Sequence, residues 1–162
     1  MFAVNSIDFN DKPAGYRELE KQLRALLAGE RDVVANCANT AALLFHSLPD
    51  LNWAGFYRLV GDTLLLGPFQ GKPACVRIPV GKGVCGTAVA RRQTILVKNV
   101  REFPGHIACD PNSNSEIVVP LLHPGRALGV LDLDSPKPGR FDADDQAGLE
   151  RLAAVLVAAT DW

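Results

Sequence analysis

Between Tyr16 and Leu27 the apolar residues Leu19, Leu23, Leu26 and Leu27 recur at helical spacing with charges between them. That pattern predicts an amphipathic helix, and Gly29 marks its stop. A second stripe of Val33, Val34, Cys37, Ala41, Leu44 and Phe45 predicts a helix from about Glu30 to Leu48, ended by Pro49. After Asp50 the texture changes. Trp53 to Leu59 is aromatic-rich and reads as a strand; Gly61-Asp62 is a turn, and Thr63 to Leu66 begins a partner strand, giving a hairpin. Cys75 to Val80 alternates as a third strand, Gly81 to Gly86 is a glycine-rich loop, and a short helical stretch runs from about Thr87 to Arg92. Thr94 to Val97 reads as another short strand. The segment from Lys98 to Asn114 shows no period, and irregular loops of that length in a compact domain are usually functional or disordered. Glu116 to Leu122 and Ala127 to Asp134 are apolar strands joined by the His123-Pro124-Gly125-Arg126 turn. Phe141 to Asp145 opens a last helix, with Asp142 as N-cap and Leu149, Leu152, Ala153, Val155, Leu156 and Ala159 on its buried face. This order predicts an α+β fold: a mostly antiparallel central sheet with helices packed on one face.

Composition narrows the function classes. A chain of 162 residues is about one domain, and 48% hydrophobic with 22% charged residues excludes a disordered or fibrous chain. The formal net charge of -1 offers no field toward nucleic acid or an anionic membrane, and Arg91, Arg92 and Arg101 are too sparse for a nucleic-acid patch. The longest apolar run, Leu152 to Ala159, is less than half of the roughly 20 residues a membrane span needs. Residues Met1 to Asp8 lack the basic and apolar stretches of a signal peptide, so the expected compartment is the cytoplasm.

In a reducing compartment the four cysteines at 37, 75, 85 and 109 are core fillers, metal ligands or redox groups rather than a disulfide framework. None belongs to a close pair of the kind structural zinc sites use, so no metal site is expected. Cys37 lies within a helical apolar stripe and reads as a core residue. Cys75, Cys85 and Cys109 lie at a strand start, in the glycine-rich loop and in the irregular segment; redox or nucleophilic use and chance placement both remain open for them. Cys85 precedes a helix, a setting that lowers a thiol pKa when the thiol is exposed. Glu116 starts an otherwise apolar strand, while Asp132 and Asp134 are two apart and therefore share a strand face. Two such carboxylates repel and resist desolvation unless a cation, proton or substrate ammonium is present; the alternative is a strand end reaching solvent. Trp53 and Tyr57, four apart, also share a face and either line a cleft or belong to the core. Gly81 to Gly86 lacks the order of a phosphate loop.

Several of these segments resemble one family. Leu66-Gly67-Pro68-Phe69-Gln70-Gly71, Ala74-Cys75 with Ile78, Gly83-Val84-Cys85-Gly86, His106-Ile107-Ala108-Cys109-Asp110, Ser113 to Pro120 and Gly129 to Ser135 strongly resemble the free methionine-R-sulfoxide reductases, small stand-alone GAF-domain enzymes. The resemblance runs from about Tyr16, leaving residues 1–15 as an N-terminal extension and 16–162 as a single GAF domain. It implies reduction of free L-methionine (R)-S-oxide to L-methionine through a cysteine sulfenic acid and an intramolecular disulfide. Cys109 is then the nucleophile, Cys75 the principal resolving thiol and Cys85 the auxiliary one, although a helix-start Cys85 competes with Cys109 on physical grounds. Glu116, Asp132 and Asp134 would hold the substrate and polarise its S=O, with Trp53 and Tyr57 walling the S-methyl group. The resemblance also implies thioredoxin as reductant, a homodimer and no cofactor. The reading from a different class is a GAF sensory module that binds a small ligand and uses its thiols as redox switches.

Overall fold

The computed structural model describes residues 4–107 and 109–162. Among them six strands, β1 (Trp53–Val60), β2 (Thr63–Gly71), β3 (Arg77–Pro79), β4 (Ile95–Val97), β5 (Ser115–His123) and β6 (Arg126–Ser135), form one sheet in the order β3-β2-β1-β6-β5-β4. Every pairing is antiparallel. The helices are α1 (Lys12–Leu26), α2 (Val33–Ser47), α3 (Gly83–Arg91) and α4 (Ala143–Ala159).

The period-two alternation of the central strands sorts their side chains onto two layers. Ala54 and Phe56 of β1, Ile117, Val119 and Leu121 of β5, and Leu131 and Leu133 of β6 face α1, α2 and α4. There they meet Leu19, Leu23, Cys37, Leu44, Leu149 and Leu156, all fully buried, each leucine contributing about 2 kcal/mol by leaving water. The opposite parity, Trp53 and Tyr57 of β1, Val118 of β5 and Val130 of β6, faces the short helix α3 through Val84, Cys85, Ala88 and Val89. Three helices therefore share one face, and α3 with its flanking loops roofs the other.

Several boundaries differ from those the sequence pattern predicts, each for a local reason. Helix α1 begins at Lys12 rather than Tyr16, because the Asp11 side chain accepts the Ala14 N–H and a proline sits in the first turn. Helix α2 begins at Val33 rather than Glu30: Asp32 caps it, while the Glu30 carboxylate accepts the N–H groups of Arg31 and Asp32 and stays outside. Strand β2, whose start at Thr63 to Leu66 the pattern predicts, runs on to Gly71, pairing with β1 up to Trp53. Strand β3 covers only Arg77–Pro79, so Cys75 sits in the connection before it.

Asp142 does cap α4, in a reciprocal box with Asp145. Asp145 is fully buried and accepts from Tyr16 Oη at 2.9 Å, Lys12 Nζ at 2.6 Å and both oxygens from Arg140 Nη1 at 3.1 Å. This network ties the start of α1 to the start of α4.

Candidate active site

Strand register explains how acids come to line a pocket on the α3 face. Asp134 lies across from Trp53 on β1 and from Glu116 on β5; Asp132 lies across from Gly55 and Val118. The three carboxylates are thus brought onto one patch of the sheet by neighbouring strands. Gly55 keeps that patch open: a Cβ there would run into Phe69 and the Trp53 ring. Trp53 stacks on Phe69 at 5.3 Å and on Tyr57 at 6.0 Å between ring centroids. Its Nε1–H donates to the carbonyl of Lys72 at 3.1 Å, and Tyr57 Oη donates to the carbonyl of Cys75 at 3.0 Å. The aromatic wall therefore also holds the segment that carries Cys75.

Above the carboxylates a cleft is closed by two further segments. The α3 start contributes Gly83, Val84 and Cys85; the irregular segment contributes His106, Ile107, Cys109, Asp110 and Ser113. At the mouth Cys75 and Cys109 form a disulfide across a Cα–Cα distance of 5.9 Å. Asp110, next to Cys109, accepts from Asn52 Nδ2 at 3.3 Å and pairs with Lys72 Nζ at 3.3 Å, fixing the Cys109 segment against the end of β2.

The floor is electrostatically costly. Burial pushes the Glu116 carboxyl up to about 7, with His106 acting to lower it and Asp134 to raise it. Asp132 is held well above the usual carboxylate range by burial and by the Glu116 charge, against a lowering hydrogen bond from Cys85. Asp134 is raised by burial and by Asp132, while a hydrogen bond from Ser113 lowers it. Glu116 thus takes up a proton near neutrality and both aspartates are shifted in the same direction, which equips the site to donate a proton.

All eight residues singled out in the sequence line this cleft or close on it: Trp53, Tyr57, Cys85, Cys109, Glu116, Asp132 and Asp134 line it directly, and Cys75 is bonded to Cys109. One expectation needs correction. Cys85 is not an exposed, acidic thiol: it is 3% exposed, its Sγ donates to Asp132 Oδ2 at 3.3 Å, and burial followed by the Asp132 and Glu116 charges raises its pKa well above the ordinary value. The helix start cannot offset carboxylates in direct contact, so Cys85 is a poor first nucleophile. Asp132 is 6% exposed, which favours the pocket-wall reading of its strand over the alternative of a strand end reaching solvent. The structure also adds His106, whose Nε2 lies 3.3 Å from Glu116 Oε2, together with Asn52 and Ser113. The lack of any period from Lys98 to Asn114 signalled function without showing which side chain meets which acid. Cys37 is fully buried among α2 neighbours, its thiol pushed up to about 12 chiefly by burial.

An antiparallel sheet with three helices on one face and a cleft under a short helix and loops on the other is the plan of a GAF domain, and the GAF domain family matches residues 24–161. The chain is 56% identical over 155 residues to the free methionine-R-sulfoxide reductase of Escherichia coli (strain K12), with 94% of each chain covered. It belongs to the free methionine-R-sulfoxide reductase family. The Saccharomyces cerevisiae member is 46% identical over 136 residues, covering 79% of this chain and 76% of that one. The X-ray structure of the Neisseria meningitidis enzyme in complex with its substrate superposes with a TM-score of 0.94 at 46% identity, over 98% of this chain and 95% of that one.

Proposed function

We propose that this chain reduces free L-methionine (R)-S-oxide to L-methionine, using its cysteines and an external dithiol. The observation that carries the reading is the bonded pair Cys75–Cys109 at the mouth of a cleft floored by three carboxyls that burial shifts toward the protonated form. Trp53 and Tyr57 wall the S-methyl group and side chain. Asp134, at the cleft's more open edge, binds the substrate ammonium, which suits a group that burial and Asp132 otherwise force toward neutrality. A peptide-bound methionine sulfoxide lacks that ammonium and leaves the acids unpaired, which disfavours it.

Cys109, the exposed member of the pair, attacks the sulfoxide sulfur as a thiolate once the disulfide is reduced. Glu116 and Asp132 at the floor polarise the S=O and supply the proton that turns the oxygen into a leaving hydroxyl. The S–O bond breaks as that hydroxyl passes to Cys109 Sγ, and the bond between Cys109 Sγ and the substrate sulfur breaks with its electron pair going to the substrate. Methionine departs reduced by two electrons, and Cys109 is left as sulfenic acid. The Cys75 thiol then displaces water from that sulfur, forming the disulfide, and Cys85 stands by as auxiliary thiol. Thioredoxin, a low-potential dithiol, returns the pair to the reduced state by exchange. A homodimer in the cytoplasm, where such a dithiol is maintained, completes the proposal.

Single-turnover chemistry tests the assignment. Reduced protein freed of external thiol should release methionine once from the R isomer, and Cys109→Ser should release none. A full burst from Cys109→Ser would move the nucleophile elsewhere.

A further inference from the structure

Cys85 stays a free thiol beside the Cys75–Cys109 disulfide. One ligand atom each from Cys85, Glu116 and Asp132 lies within 4.8 Å of the other two. The three residues are 3%, 6% and 6% exposed, and Asp132 Oδ1 is buried without a hydrogen-bond partner. Three anions cannot share so small a dry volume, so the cluster is completed by protons or by a cation. A thiolate with two carboxylates is a donor set for zinc-class ions, since soft sulfur suits them whereas magnesium and calcium take oxygen alone. His106, 3.3 Å from Glu116 Oε2, supplies the outer hydrogen bond that usually orients a ligating carboxylate.

We propose that Cys85, Glu116 and Asp132 form an inhibitory site for a thiophilic divalent cation of the zinc class. The unpartnered Oδ1 of Asp132 gives the ion a ready oxygen. Binding exchanges the Cys85 thiol proton, and whatever protons the carboxyls hold, for the metal; no electrons move. The ion would sit on the floor of the cleft where the substrate's sulfur end is held, so it and the amino acid exclude one another. Neither Cys75 nor Cys109 belongs to the triad, so the site persists when those two are bonded. Cation binding does not rest on the reductase reading; only its inhibitory consequence does.

Cobalt(II) tests it spectroscopically. The protein is titrated with its Cys75–Cys109 disulfide intact, which leaves Cys85 and Cys37 as its free thiols. A thiolate-to-cobalt charge-transfer band should grow to saturation at one equivalent and vanish on adding zinc. Cys37→Ser should keep the band and Cys85→Ser lose it. Asp132→Asn, which retains the thiol, should weaken binding by at least about tenfold, the equivalent of roughly 1.4 kcal/mol. Free L-methionine should lower the apparent cobalt affinity. No band, a band surviving in Cys85→Ser, or undiminished affinity in Asp132→Asn would overturn the site. A band indifferent to methionine would overturn the inhibition while leaving the reductase reading to its own assay.

Discussion

Glu116→Gln probes the buried acids most directly, because the residue is 6% exposed and lies across from Asp134 in the β5–β6 register. Its carboxyl is raised from the ordinary 4.5 to about 7, chiefly by burial. A difference of about 2.5 units (7 less 4.5), at 1.36 kcal/mol per unit, corresponds to about 3 kcal/mol. The sign follows from proton binding: the folded chain holds this proton more tightly than the unfolded chain. Below about pH 4.5 both states are protonated and there is no penalty; above about pH 7 both have lost the proton and the penalty is complete. Folding stability therefore falls as pH rises through that window. Glutamine keeps the shape and carries no such proton, and its presence also removes a charge that raises Asp132. Urea unfolding at a series of pH values should show the variant gaining about 3 kcal/mol on the unmodified chain between about pH 4.5 and pH 8, with the m-value unchanged. Parallel stability curves for the two proteins would refute the reasoning.

The remaining predictions concern separate parts of the molecule. Cys75→Ser should retain single-turnover methionine release but slow thioredoxin-dependent cycling; unchanged cycling would transfer the resolving role to Cys85. Cys37→Ala removes a fully buried thiol in the helical layer and should cost about 1 kcal/mol in a urea titration with turnover of the folded protein intact, whereas lost activity in a folded variant would contradict its structural role. Asp145→Ala strips Arg140, Lys12 and Tyr16 of their shared acceptor and should destabilise by about 3–5 kcal/mol; a urea midpoint near that of the unmodified chain would count against the network.

The strands and the chemistry they carry were legible where a period was present. Alternation along 130–134 put Leu131 and Leu133 on one face and Asp132 and Asp134 on the other, and the structure keeps that division. The helical stripe around Cys37 correctly placed that thiol in the core. Convergence of Cys75, Cys85 and Cys109 was not readable from spacing, because two connections and the first turn of α3 carry them over the same patch of sheet; it came from family resemblance. Cys85 was misjudged because a helix start is a local feature, while the carboxylates beneath it arrive from β5 and β6. The same long-range register hid the Cys85–Glu116–Asp132 triad, whose members lie far apart in the chain. His106 was missed as a partner of Glu116 because its segment has no period to orient it. The early start of α1 was hidden too, since it depends on the Asp11 cap rather than on apolar spacing.

The central claim is that the acid-floored cleft serves a free amino acid sulfoxide of one configuration. Reduced protein with dithiothreitol is given racemic free methionine sulfoxide and, separately, methionine sulfoxide within a peptide, and methionine is quantified with chiral analysis of the residue. The account predicts that turnover stops when half of the free racemate is consumed, that the remaining isomer is S, and that the peptide is untouched. Methionine formed from the peptide at a comparable rate, from the S isomer, or from neither substrate would contradict it.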